Sequence, residues 1–146
     1  MSHTRQPNDP PAPPRQIFFD PTPEIHATDG GGGFLFQLRQ ADEVFFETEP
    51  YDEMRFVFSL WHPSSRRAID LDRAYVELRA CFDPDHEHWV KIAEIEPVVA
   101  PYGGGDSFDG WIVLPVLSRK AAFTLAGSGF DNRARLQIRA TGYLVA

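Results

Sequence analysis

"EMRFVFSLWH", residues 53–62, decides the fold class. Met54, Phe56, Phe58 and Leu60 share one parity; Arg55, Val57, Ser59 and Trp61 share the other. Side chains of an extended chain alternate between faces, so this pattern is a strand with one buried face. A helix would space its apolar residues three and four apart, and no segment sustains that period.

The same alternation runs outward in both directions. In "RAYVELRACF" (73–82), Ala74, Val76, Leu78, Ala80 and Phe82 oppose Tyr75, Glu77, Arg79 and Cys81. "HWVKIAEIE" (88–96) sets Val90, Ile92 and Glu94 against Trp89, Lys91, Ala93 and Ile95. "RARLQIRATGYLV" (133–145) turns Leu136, Ile138, Ala140 and Leu144 inward, with Arg135, Gln137, Arg139, Thr141 and Tyr143 outward. "GWIVLPVL" (110–117) is apolar on both faces, as a central strand is, with Pro115 forcing its end to an edge or bulge. "FLFQLRQ" (34–40) and "EVFFETE" (43–49) read as a hairpin, and "AAFTLAG" (121–127) as a short further strand. Helix is expected for at most a turn or two, in "SSRRAIDLDRA" (64–74) and "SRKAAFTL" (118–125). About eight strands joined by Gly-, Pro- and Asp-rich connections predict an all-β antiparallel sandwich of jelly-roll type. A small closed β-barrel is the alternative.

The first 33 residues differ in composition. Seven of the 13 prolines lie within the first 23 residues, and "DGGGG" closes the segment. Proline favours extended backbone and consecutive glycines give freedom, so residues 1–33 read as an extended arm before a sandwich domain over 34–146. "QIFF" (16–19) is a candidate strand or anchor within the arm. The start of the chain is polar, with no apolar core of a signal peptide, which implies synthesis in the cytoplasm.

Charge narrows the partners. The net charge is -7, and the pairs Arg66–Arg67 and Arg119–Lys120 are isolated, so neither nucleic acid nor an anionic membrane is expected. One cysteine, Cys81, excludes an internal disulfide.

"DPDHEHW" (83–89) gathers the densest chemistry. His86 and His88 would point the same way on a strand and, with Asp85, form a candidate divalent-metal set. The His-x-His spacing resembles the first metal motif of cupins. It departs from that motif in three ways: five residues separate His88 from Glu94, position 80 is alanine, and no histidine follows His88. Asp-Pro-Asp between two alternating strands reads first as turn chemistry, and no cofactor is expected. "YGGGDSFDGW" (102–111) lacks the Gly-x-Ser-x-Gly and Gly-Lys-Ser/Thr patterns and reads as a loop, a candidate for ligand contact. No complete catalytic constellation is present, so an enzyme is not expected.

Aromatic side chains carry the remaining signal. Trp61, Tyr75, Trp89 and Tyr143 fall opposite the core residues of their strands, and Arg79 and Arg139 stand beside them; with Trp111 they are the candidate binding residues. Three functions fit. The first is an assembly subunit whose arm contacts its neighbours in a homo-oligomer or large particle, as virion decoration, tail and fibre proteins do. The second is a carbohydrate- or ligand-binding sandwich, resembling carbohydrate-binding modules in architecture, with an aromatic face. The third is a metal-dependent enzyme or metal-binding protein using His86 and His88.

Overall fold

The computed structural model describes residues 13–18, 24–26, 33–62, 69–98, 107–130 and 135–146. They form ten strands: β1 (Arg15–Phe18), β2 (Glu24–His26), β3 (Phe34–Leu38), β4 (Phe46–Glu47), β5 (Glu53–Trp61), β6 (Tyr75–Cys81), β7 (Val90–Glu94), β8 (Ser107–Pro115), β9 (Lys120–Ser128) and β10 (Arg135–Val145). Among the described residues there is no helix.

Two antiparallel sheets result. Sheet I has the order β1-β10-β5-β8, with β2 joining β10 on a second stretch; sheet II has the order β3-β9-β6-β7, with β4 joining β9. β1 and β2 each lie along β10, and β3 and β4 each lie along β9, so ten strands fill eight positions. Taken in chain order these positions pass from sheet to sheet in the jelly-roll sequence, except that β6 and β7 are neighbours in sheet II. The sheets are open and separate, which overturns the closed-barrel alternative.

The core lies between the sheets. Met54, Phe56, Phe58 and Leu60 of β5, and Leu136, Ile138, Ala140 and Leu144 of β10, are buried as their parity predicts. They face Val76, Leu78 and Ala80 of β6 and Phe123 and Leu125 of β9. Phe123 joins the layers: its ring meets Phe56 edge-on at 5.0 Å and lies near-parallel to Phe46 at 6.4 Å. Edge-to-face pairs of this kind contribute about 0.5–1.5 kcal/mol beyond the area they bury.

Four local expectations change. β3 and β4 do not pair with each other as a hairpin. Gln40 and Glu43 bond reciprocally at 3.0 and 2.9 Å around Ala41, which has φ 52°, and the chain then resumes along the same edge of β9. In the helix candidate 118–125, residues 120–125 are strand instead, because β9 sits between β3 and β6 and its backbone is paired on both sides. In the other helix candidate, residues 69–74 make a turn: the amides of Arg73 and Ala74 donate to the Asp70 carbonyl, and the Asp72 amide to the Asp70 carboxylate. β8, expected to be central, is the outer strand of sheet I, and Pro115 closes its end.

β7 carries a subtler change. Arg79 pairs with Lys91 but Leu78 pairs with Ala93, so Ile92 is the extra residue of a bulge. Parity reverses there. Beyond the bulge Ala93 and Ile95 turn toward the core and Glu94 turns outward, opposite to simple alternation over 88–96.

Within the stretch read as an arm, residues 15–18 and 24–26 pair with β10 of the same chain. Ile17 is buried there, as an anchor in "QIFF" would be. Residues 1–12 lie outside the described residues.

Candidate ligand surfaces

The seven aromatic and arginine candidates separate onto the two outer faces. Trp61, Trp111, Tyr143 and Arg139 stand on sheet I. Tyr75 and Arg79 stand on sheet II, with Trp89 at its margin just before β7.

On sheet I the cross-strand register fixes the pattern. Trp111 lies opposite Val57, which lies opposite Thr141. The next row is Val113, Arg55 and Tyr143. The rows on the other side are Asp109, Ser59 and Arg139, then Ser107, Trp61 and Gln137. Trp111 is 61% exposed, Val57 52%, Val113 42% and Tyr143 37%. The Arg139 guanidinium sits 5.9 Å from the centre of the Trp61 ring, a cation–π contact that holds both side chains. The Asp109 carboxylate accepts hydrogen bonds from Ser59 and Ser107, each at 2.5 Å. Gln16 of β1 donates to the Tyr143 hydroxyl at 3.4 Å. The result is a broad surface of exposed rings and valines, with ordered polar groups at one end.

Sheet II is built differently. The outward positions of β9 are Ala122, Thr124, Ala126 and Ser128, all small. Longer side chains flank them: Leu35 and Gln37 from β3, Glu77 and Arg79 from β6. The floor is therefore low and the sides high. A groove of about 300 Å³ follows, lined by Leu35, Gln37, Arg79, Glu87, Trp89 and Thr124. Its polar members are braced. Arg79 Nε bonds Glu77 at 2.9 Å, and the Trp89 indole N–H donates to Glu87 at 3.1 Å. Nearby, Lys91 donates to the Tyr75 hydroxyl at 2.7 Å. That bond, with the charges of Glu94 and Glu77, holds its ammonium above the ordinary lysine range.

"DPDHEHW" is the turn between β6 and β7, and it ends at the groove. The Asp83 carboxylate accepts from the Asp85 amide at 2.9 Å and contacts His86 Nδ1 at 2.9 Å, while the Asp83 carbonyl accepts from the His86 amide. The Asp85 amide first, and the His86 ring second, hold the Asp83 carboxyl below the ordinary carboxylate range. The turn covers Cys81, whose thiol lies 3.4 Å from the Asp83 carbonyl and is buried. Glu87 and Trp89 then emerge as one wall of the groove. His86, His88 and Asp85 are exposed, and among the described residues no three His, Cys, Asp or Glu side chains group closely enough to hold a metal ion.

A second concavity, of about 600 Å³, opens beside the same turn, between Phe82 and Pro84 and the segments 47–49 and 118–120. Its charges pair off, Arg119 with Glu49 at 3.5 Å and Lys120 with Glu47 at 3.7 Å. Residues 102–106 of the candidate ligand loop lie outside the described residues, and 107–111, read as loop, are instead the start of β8.

Leu35, Gln37, Glu87 and Thr124 were not singled out by sequence. The available signal was the run of small residues at alternate positions in "AAFTLAGS" (121–128), which marks a depression wherever that strand is central.

No family model and no curated protein matches the chain. Among solved structures, it is similar to the Clostridium thermocellum N-terminal endo-1,4-β-D-xylanase 10B, CBM22-1–GH10 modules complexed with xylohexaose. The identity is 13% and the TM-score 0.40, over 89% of this chain and 27% of that one.

Proposed function

We propose that this protein is a non-catalytic, carbohydrate-binding β-sandwich that engages an extended glycan on the outer face of sheet I. One observation carries the reading: Trp111, Tyr143 and Trp61 share that face, and Trp111 is 61% exposed. A sugar ring has an apolar C–H face and a rim of hydroxyls. Aromatic rings take the first, and carboxylate, guanidinium and amide groups take the second. Asp109, Arg139 and Gln137 supply the rim partners, and the two serine bonds to Asp109 set its carboxylate before a ligand arrives. Groups already held in place lose less freedom on binding.

The test is an array of immobilised oligosaccharides, followed by titration of the best binder. Trp111→Ala should weaken that binding about tenfold or more, as removal of an exposed aromatic anchor does. Failure of the unmodified protein to bind any oligosaccharide would end this reading.

The assembly reading takes the same face as a contact with another subunit. Val57 and Val113 favour it, since both flank Trp111, are exposed and offer nothing to a hydroxyl. Light scattering after size-exclusion separates the two: an assembly subunit should elute as an oligomer that Trp111→Arg breaks, whereas a glycan-binding monomer should be unchanged in mass.

A further inference from the structure

We propose that the groove on sheet II is a second carbohydrate site, sized for a single pyranose ring, so that the two outer faces of one sandwich bind glycan independently. The inference shares its ligand class with the proposed function but none of its residues.

The argument starts from shape. Small-molecule sites range upward from about 300 Å³, so a groove of about 300 Å³ admits a ligand of one ring rather than a chain. It runs over Thr124, between Gln37 on one side and Arg79 on the other, with these three residues in one register row across β3, β9 and β6. Neighbouring strands lie ~4.8 Å apart, so a hydroxylated ring laid over Thr124 would reach both flanking side chains.

Chemistry comes next. Trp89 presents an indole beside the row, and Leu35, 68% exposed, faces the same groove. These are the apolar surfaces a sugar's C–H face requires. Gln37 offers both a donor and an acceptor, Thr124 a hydroxyl, Arg79 donors and Glu87 acceptors, matching hydroxyls that both give and receive hydrogen bonds. The charges balance in place, Arg79 being set against Glu77 at 2.9 Å. A neutral polyol suits such a groove better than an anion, which would have to compete with Glu77 and Glu87 for Arg79.

Construction makes the site ready. Trp89 is fixed through Glu87 and Arg79 through Glu77, both by contacts two residues apart on their own segments. The turn over Cys81 sets where Glu87 and Trp89 emerge. The sheets of a sandwich pack ~10 Å apart with their outer faces turned away from each other, so occupation of one face leaves the other accessible. Two sites on one module raise the avidity for a branched or surface-bound glycan beyond either affinity.

The chain has three tryptophans, Trp61, Trp89 and Trp111, so three indole N–H signals report the faces separately. The probes are methyl β-D-glucopyranoside, methyl β-D-xylopyranoside and methyl α-D-mannopyranoside, titrated into the isotopically labelled full chain. At least one should move the Trp89 signal saturably, with Kd on the order of 1 mM. Thr124→Leu, which raises the groove floor, should abolish the response. Gln37→Ala, at an exposed position that leaves the fold intact, should weaken it several-fold, and Trp111→Ala should leave it unchanged. A Trp89 signal stationary up to roughly 50 mM of all three probes, or one that still responds after Thr124→Leu, overturns the second site. Failure of the sheet I reading is seen separately, as the absence of oligosaccharide-dependent change at Trp111.

Discussion

The two outer faces obey the same alternation and reach opposite shapes. On sheet I the central strands β5 and β10 point Arg55, Val57, Trp61, Arg139 and Tyr143 outward. On sheet II one of the two central strands, β9, points Ala122, Thr124 and Ala126 outward. Large residues in the middle of a sheet make a raised platform; small ones make a trough walled by their neighbours. The size of the outward side chains on one central strand therefore separates a raised platform from a walled groove.

The strongest way to break the comparison is to remove what both faces share. Phe123 lies in the core against Phe56 of sheet I and Phe46 of β4. Phe123→Ala should cost about 3–5 kcal/mol of stability, through lost burial and a cavity that the layers cannot fill. Both faces should fail together, with Trp89 and Trp111 indole signals lost over the same denaturant range. Separate transitions would show that the sheets fold as independent units.

A smaller change should separate the faces. Gly127 of β9 pairs with Phe34, and a Cβ at this position would lie 2.1 Å from the Phe34 ring. Phe34 is itself packed on Phe130 at 5.5 Å, so it has little room to withdraw. Gly127→Ala should cost about 1–3 kcal/mol, the usual range for an overfilled core. Its damage should centre on the β3–β9 pairing, which carries Leu35 and Gln37. Groove binding should weaken while any oligosaccharide response at Trp111 persists. Equal loss at both faces would mean that the strain spreads through the core.

The platform has the opposite property. Trp111→Ala should change stability by no more than about 0.5 kcal/mol, because the side chain is mostly exposed, and yet remove most of the affinity for an oligosaccharide. Thermal unfolding and titration of the same sample check both halves. A large loss of stability would mean that the ring packs against more than the face it stands on.

Why the faces differ is only half legible in the sequence. Parity is local, and it identified the buried sets of β5 and β10 residue by residue, together with the outward positions of Trp61, Arg139 and Tyr143. Sheet membership is long-range. A jelly-roll sends most successive segments to opposite sheets, so outward residues of strands adjacent in sequence, such as Trp61 and Tyr75, end on opposite sides of the molecule. Two events also broke local parity. The bulge at Ile92 reverses the faces of "HWVKIAEIE", and the excursion at 39–45 turns an expected hairpin into one interrupted edge. The groove depended on knowing that β9 is central, because small residues make a trough only between taller neighbours.

The smallest expected effect concerns the turn that ends at the groove. Asp83 is ionised in the fold at a pH where an ordinary aspartate would protonate, because the Asp85 amide, and next the His86 ring, favour its charged form. Its folded pKa lies below its unfolded one. The stabilisation is thus complete above the ordinary value of 3.8 and is lost as pH falls through the lower folded value. Asp83 is exposed, so the effect on global stability should be slight and the local effect should dominate. The Asp85 amide proton should titrate with a midpoint below that of a free aspartate, and the Trp89 indole should move with it, since Glu87 and Trp89 leave the same turn. The Trp111 indole, on the other sheet, should not follow. Asp83→Asn keeps an acceptor but has no charge to lose, and should remove the step at both reporters. A midpoint at the ordinary aspartate value, or a step that survives Asp83→Asn, would show that the turn is not held by this carboxylate and that the groove wall takes its position from elsewhere.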